Sequence, residues 1–386
     1  MAQHRDTYLM FVDIKDGTQS NKFYNMFPKG NAFTVEYGRM GSSKTTKDYP
    51  IARWRSIYNS KVRKGYKDIT DLKATVAIKH EDSGNNAFEE FYKVFQRYTR
   101  DSVRHTYISE GCSQGQIDEA QHLLDKIAKE KSLDKANEML KEVYKVIPRR
   151  MTDVRDYLLK SLNERDEIIK REQDALDSMD SSNIMHVSNP LKELNVEFSE
   201  VTDHKEMENL LYPTMGNYTR TGSRSAKIHK VYRIEDLQRT KEQEEWLNSQ
   251  SDRTCKLLIH GTRNPNVFSI LKSGLLVRPT NAASFAGSVY GDGIYHSAHS
   301  AKSLGYVGYD PDKIFLIQNV HMGNAYEYEG WYRAGKDISR SEMNYQSLKK
   351  RGCDSLYVKP GDGLLNSEYI VYNKEQSNTH FLVWMK

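Results

Sequence analysis

Glycine nearly disappears between Ala87 and about Asp180 of this 386-residue chain, and apolar residues there recur at helical spacing. Ile117, Ala120, Leu124 and Ile127 fall at i, i+3, i+7 and i+10. Leu140, Val143, Tyr144 and Ile147 form a second face, stopped by Pro148. Tyr157, Leu158, Leu162, Ile168 and Ile169 continue the pattern until "DSMDSSN" ends it. Such a stretch cannot serve as sheet. It predicts a bundle of about four to six helices in the middle of the chain.

The flanks read differently. "TYLMFVDI", "KFYNMF" and "AFTVEYGRM" are short runs of aromatic and β-branched residues separated by turn-forming segments. A helix is predicted from Ile51 to Lys64, ending at Gly65. After Pro190, "VEFSEV", "IHKVYRI", "KLLIHGT", "KIFLIQNV", "SLYVK", "EYIVYN" and "HFLVWM" are strand-like, with few long helices among them. The expected fold is α+β and multidomain. A small β-rich module spans residues 1–79 and a polar linker "HEDSGNN" residues 80–86. An all-α bundle follows over 87–181, then a mainly antiparallel β domain over 182–386.

Charge separates the first module from the rest. Up to Lys73 there are fourteen lysines and arginines against seven acids, while the whole chain carries only +5. A basic module before a near-neutral body is the footprint of nucleic-acid binding, and equally of a basic surface that meets only solvent. Three widely spaced cysteines, Cys112, Cys255 and Cys353, argue against a disulfide framework or a zinc site and for a reducing compartment. No apolar run is long enough to span a membrane, and the first residues lack a signal-peptide pattern.

Three segments of the C-terminal domain carry chemistry. "LLIHGTRNPNVFSILKSGL" ends a strand in His260-Gly261-Thr262 and enters a helix. "GDGIYHSAHSAKSLGYVG" interleaves glycines with Tyr295, Ser303 and Tyr306. "LLNSEYIVYN" places Glu368 at the head of an apolar strand. Taken singly, each has a plainer reading: a histidine satisfied at a strand end, half-buried aromatics, an exposed carboxylate. Taken together and in this order, they resemble the ADP-ribosyltransferases of the poly(ADP-ribose) polymerase family. "CSQGQIDEAQHLLDKI" with "VYKVIPRR" is similar to the helical regulatory domain of the DNA-dependent members. "NKFYNM" with "FTVEYGRMGSS" resembles their WGR domain.

The resemblance implies an enzyme, activated by DNA strand breaks, that transfers ADP-ribose from NAD to protein acceptors, itself included, and extends poly(ADP-ribose) chains, with release of nicotinamide. The catalytic triad would be His260, Tyr295 and Glu368. Gly261, Thr262, Ser303 and Tyr306 would bind NAD, with Tyr306 stacking on the nicotinamide ring. NAD would be a substrate, with no tightly bound cofactor and no metal. Cleaving the nicotinamide–ribose bond builds positive charge on the sugar, which suits a carboxylate at Glu368. Glycines let backbone approach the ligand, and tyrosines supply flat faces. Tyr37, Arg39, Lys44, Lys47 and Arg53 would contact DNA, mostly through phosphates. The enzyme would be intracellular and free of membrane. It would be nuclear in a eukaryote, and in the cytoplasm or nucleoid of a prokaryotic or viral system.

The sequence also departs from the family. Tyr37-Gly38-Arg39 stands where the family has Trp-Gly-Arg, and His296 follows the triad tyrosine where an apolar residue is common. Leu276 takes the place of an arginine, with Arg278 two residues on. Val289 replaces a methionine common beside the acceptor site of chain-extending relatives. The alternatives are a mono-ADP-ribosyltransferase and a catalytically silent DNA-binding scaffold, against which the presence of His260, Tyr295 and Glu368 speaks; an NAD-hydrolysing toxin fits poorly with a helical regulatory domain and a basic module.

Overall fold

The computed structural model describes residues 4–386 except 16, 73–79, 107–111, 220–221, 224, 278–288 and 333–336. By packing, the chain divides into two units, Met1–Ala77 with Arg100–Asn183, and Ile78–Thr99 with Ile184–Lys386.

The first unit opens with β1 (Thr7–Lys15), β2 (Thr18–Lys29), β3 (Ala32–Arg39), β4 (Thr45–Pro50), α1 (Trp54–Arg63) and β5 (Lys67–Asp68). The strands form one antiparallel sheet in the order β4-β3-β2-β1-β5. Alternation sends Tyr24 and Met26 of β2, and Phe33 and Val35 of β3, to one face, where they meet Leu9 and Trp54. The helix expected over 51–64 is present; its first turn, Ile51–Arg53, is the tighter 3₁₀ form. Gly65, at φ +86°, ends it as the sequence suggests.

The helices are α2 (Asn86–Thr106), α3 (Gln114–Lys129), α4 (Leu133–Val146) and α5 (Arg165–Met185), with 3₁₀ turns at Val154–Tyr157 and Leu162–Glu164. A capping box between Ser113 and Gln116 starts α3, and the Ser132 side chain caps α4. Ile117, Ala120, Leu124, Ile127, Leu140, Val143, Tyr144 and Ile147 are all buried, on the faces their spacing predicts. Within this unit the sheet is bonded to the bundle. Lys141 pairs with Asp13 at 2.7 Å, and Asn21 Nδ2 donates to the Arg149 carbonyl at 3.1 Å.

The second unit continues with α6 (Pro190–Leu194), β6 (Val196–Val201), α7 (Lys205–Leu211), β7 (Tyr218–Thr219), β8 (Gly222–Ser223), β9 (Ile228–Asp236) and α8 (Leu237–Asn248). Then come β10 (Cys255–Gly261), α9 (Val267–Ser273), β11 (Ile294–His296), α10 (Ser300–Leu304), β12 (Lys313–His321) and β13 (Ala325–Glu329). The chain closes with α11 (Tyr345–Lys350), β14 (Ser355–Lys359), β15 (Glu368–Val371) and β16 (Ser377–Met385). One sheet runs β10-β12-β16-β9-β6 and the other β11-β15-β14-β13. All their pairings are antiparallel except β13 with β14. The sheets meet where Ile259 and Ser297 exchange backbone hydrogen bonds. That bridge brings the end of β10 beside β11.

The packing division differs from the expected boundaries. The segment 80–86 has linker composition, yet Glu81 N donates to the Ser188 carbonyl and Asn85 Nδ2 to the Phe198 carbonyl, both at 2.7 Å. Its polar groups are used in holding and capping α2, whose Phe88 N–H donates to the Asn85 side chain at 3.0 Å. Phe88, Phe91, Tyr92 and Phe95 of α2 then enter the core of the second unit with Phe198, Tyr232, Phe268 and Trp384. Thus α2 starts in the second unit and finishes in the first.

Candidate active site

His260 stands near the end of β10, facing β11. Its Nδ1–H donates to the Tyr295 carbonyl at 2.9 Å, which leaves Nε2 as a bare acceptor. Burial lowers the pKa of His260, against the opposing effect of that carbonyl, and keeps the ring neutral. Gly261 follows. A Cβ there would collide with the Ser303 backbone, so only glycine lets α10 lie this close to β10. Thr262 is buried immediately beyond it.

Tyr295 occupies the middle of β11, paired with Ile370 of β15. Its hydroxyl accepts from Tyr290 N at 2.9 Å and donates to the Gly291 carbonyl at 2.8 Å. Gly291 has φ +84°, and Met343 lies where its Cβ would be. The Gly-Asp-Gly turn is therefore fastened to the ring that follows it, and Tyr295 is held as a fixed wall. Burial raises its pKa, so the phenol stays protonated.

Glu368 begins β15 opposite Val358. Its carboxylate makes an ion pair with Lys302 of α10. Burial pushes the Glu368 pKa up, and the Lys302 ammonium pulls it back. Burial likewise lowers that of Lys302, opposed by Glu368. Both Tyr295 and Tyr306 feel the Glu368 charge. Ser303 is buried one residue after Lys302, and its carbonyl accepts from Tyr306 N at 3.0 Å. Tyr306 keeps 49% of its surface exposed, enough to offer a ring face.

The structure thus gathers His260, Gly261, Tyr295, Ser303, Tyr306 and Glu368 around the junction of the two sheets. Lys302 was visible in the sequence only as a neighbour of Ser303. Its role depends on a partner 66 residues away by numbering, which spacing along the chain does not signal. His296 also has its place: Nε2 lies 2.9 Å from Ser377 Oγ, and burial holds its pKa down to about 3. It is a neutral core side chain facing away from Tyr295. Leu276 is exposed, Val289 is half-buried, and Arg278 lies outside the described residues.

The first unit carries a separate cavity of about 510 Å³ lined by Tyr24, Tyr37, Tyr49, Arg53, Ser56, Ser60 and Lys61. Tyr37 stacks on Tyr24 at 5.7 Å, and the Lys61 ammonium sits 3.8 Å over the Tyr24 ring. Lys47 and Arg53 flank the Tyr49 ring at 5.1 and 5.3 Å. Of the residues expected to meet DNA, Tyr37, Lys47 and Arg53 come together here. Arg39 instead donates to the Gln19 carbonyl at 2.9 Å, and Lys44 pairs with Glu36 at 2.5 Å. Tyr24 and Tyr49 were not singled out in the sequence, because they read as ordinary strand aromatics. Among the described residues no cluster of His, Cys, Asp and Glu is arranged to hold a metal, and no helix is long and apolar enough to cross a membrane.

Two abutting sheets place histidine, tyrosine and glutamate at their seam. A model of the poly(ADP-ribose) polymerase catalytic domain matches residues 205–386. A poly(ADP-ribose) polymerase-like protein, 100L of Invertebrate iridescent virus 6, is 44% identical over 160 residues, covering 41% of this chain and 87% of that protein. The uncharacterized protein 101L of the same virus is 36% identical over 191 residues, 47% of this chain and 81% of that one. Poly(ADP-ribose) polymerase 1 of Gallus gallus is 30% identical over 183 residues, 42% of this chain and 17% of that one. The chain belongs to the poly(ADP-ribose) polymerase catalytic-domain family and is an NAD-dependent ADP-ribosyltransferase.

Proposed function

We propose that the chain is a DNA-break-activated enzyme that transfers ADP-ribose from NAD to protein acceptors, itself included, and extends the product into poly(ADP-ribose). The Lys302–Glu368 ion pair carries the catalytic part of this reading, because it sets a buried cation against a buried carboxylate and opposes the rise in pKa that burial causes there. NAD would lie with its nicotinamide between Tyr306 and Tyr295, the amide against Gly261, Thr262 and Ser303, and an adenosine-ribose hydroxyl on His260 Nε2. The bond from ribose to the pyridinium nitrogen breaks, and its electron pair leaves with neutral nicotinamide. Positive charge on the ribose is met by Glu368. The acceptor oxygen forms the new bond as its proton passes to the Glu368 carboxylate.

The tyrosine-lined basic cavity supports contact with DNA through stacking and phosphates, which needs no base-edge reading and suits a sensor of breaks. The bundle of the first unit is the proposed restraint on the transferase, released when DNA binds. A second reading, a mono-ADP-ribosyltransferase, is favoured by Val289. The side chain is short where a chain-extending enzyme would grip an incoming ADP-ribose. Incubation with labelled NAD, with and without nicked DNA, tests both on one gel. A DNA-dependent ladder supports the first reading, a single sharp band the second. An unlabelled protein with NAD unconsumed would overturn both.

A further inference from the structure

Two loops continue the chain directly from residues of the proposed NAD site. One, residues 261–266, follows His260. The other, residues 306–312, follows Tyr306. They are joined through Asn264, next to the buried carboxylate of Asp312. Asn264 is fully buried, and its Nδ2 donates to the Asp312 carbonyl at 2.7 Å and to Asp310 Oδ2 at 3.1 Å. The Asp312 side chain is 7% exposed as a residue and has donors on both oxygens. Trp384 Nε1 reaches Oδ1 at 2.9 Å, and the Tyr98 hydroxyl reaches Oδ2 at 2.6 Å, with Arg97 at 3.6 Å from the same atom. Next to Tyr98, the Thr99 hydroxyl donates to the Pro265 carbonyl at 3.3 Å. The final turn of α2 within the transferase unit is therefore bonded to both loops.

A buried carboxylate is costly unless every lone pair finds a donor, so this knot has one well-defined geometry. Tyr98 and Thr99 come from a helix that supplies none of the triad or NAD-site residues. At the next residue, Arg100, that helix passes into the other unit. Core packing alone calls for an apolar residue here, as at Phe88, Phe91 and Phe95. A hydroxyl aimed at Asp312 does more: it sets where the loop behind Tyr306 sits relative to the loop behind Gly261.

We propose that Tyr98, Asp312 and Asn264 are positioning residues for the transfer reaction, fixing the width of the cleft that takes the nicotinamide end of NAD. This rests on the reading of the cleft as the NAD site. The hydrogen bonds of the knot involve neither Glu368 nor Lys302, so its loss should fall on binding more than on turnover. A small misplacement of the cleft walls costs severalfold or more in productive binding.

The test uses the full chain, with Tyr98→Phe and Asn264→Ser as variants and Phe88→Leu as a control. Phe88→Leu loosens the same helix without touching the knot. Nicotinamide release gives KM for NAD and kcat, calorimetry gives the affinity for benzamide as a nicotinamide-shaped probe, and melting gives stability. The expected result is a KM raised about fivefold in both knot variants, with kcat within about twofold and benzamide binding weakened in parallel. Phe88→Leu should lower the melting midpoint and leave KM unchanged. If the knot variants melt earlier but keep wild-type KM and benzamide affinity, the knot is only structural and the proposal is overturned. If the wild-type chain neither releases nicotinamide nor binds benzamide, the NAD reading of the cleft falls and the proposal falls with it.

Discussion

At the residue scale, the proposed chemistry turns on one charge. Glu368→Gln keeps the shape of the side chain and removes the charge proposed to meet the ribose cation. Transfer and nicotinamide release should fall by about a hundredfold or more, while the melting profile stays near wild type. An unchanged rate would remove Glu368 from the mechanism. Lys302→Met tests the partner. Burial already holds the Glu368 carboxyl above its ordinary range, and Lys302 is the opposing influence. Without it the pKa rises further, so protonation begins at a higher pH. The acid limb of kcat/KM should therefore move to higher pH in the variant, with the high-pH plateau reduced less than the value at neutral pH. A limb that stays in place would mean another group titrates there. The residues proposed as the triad stand out in the sequence because each sits in a local pattern: His-Gly-Thr after a strand, Gly-Ile-Tyr after a glycine turn, Glu before an apolar run. Lys302 has no such pattern. Its importance comes from α10 and β15 meeting in space, which periodicity does not encode.

At the scale of elements, the basic cavity is a joint product of β2, β3, β4 and α1. Each strand contributes a single tyrosine ring, and the helix adds Ser56, Ser60 and Lys61. Binding to duplex DNA should weaken steeply with salt and depend little on sequence. If about four cations neutralise phosphates, the log–log slope should be roughly −3 to −4. Lys61→Met should make it shallower by about one unit if Lys61 is among them. A slope near zero in the wild type would dismiss the cavity as a nucleic-acid site. The sequence showed a basic module but not which of its charges converge, since strand pairing decides that. The same limit appears in α2. Phe88, Phe91, Tyr92 and Phe95 follow i, i+3, i+4, i+7, which marks an apolar helical face. Periodicity says that such a face is covered. It does not say by what, and here the cover is the transferase core rather than the bundle.

For the whole molecule, that allegiance decides how autoinhibition can be tested. Removing the entire segment 87–180 would strip four aromatic rings from the transferase core. Losses of about 3–5 kcal/mol for a single buried phenylalanine are usual, so that deletion should simply unfold the enzyme. Replacing only 100–183 with a flexible Gly/Ser linker keeps α2 through Thr99. This variant should release nicotinamide without DNA at a rate approaching the DNA-stimulated rate of the intact chain. If it is folded yet silent until DNA is added, the bundle is not the restraint.

The transferase core is also discontinuous in sequence: it is built from residues 78–99 and 184–386, and the intervening chain belongs to the other unit. A cut anywhere in the insertion leaves two polypeptides, neither of which owns a complete core. The C-terminal piece would keep the triad and lack the aromatic helix. The N-terminal piece would hold the helix and have nothing of its own to cover it. Activity of the nicked protein would then become a bimolecular quantity, lost on dilution and regained on concentration, although no active-site residue had changed.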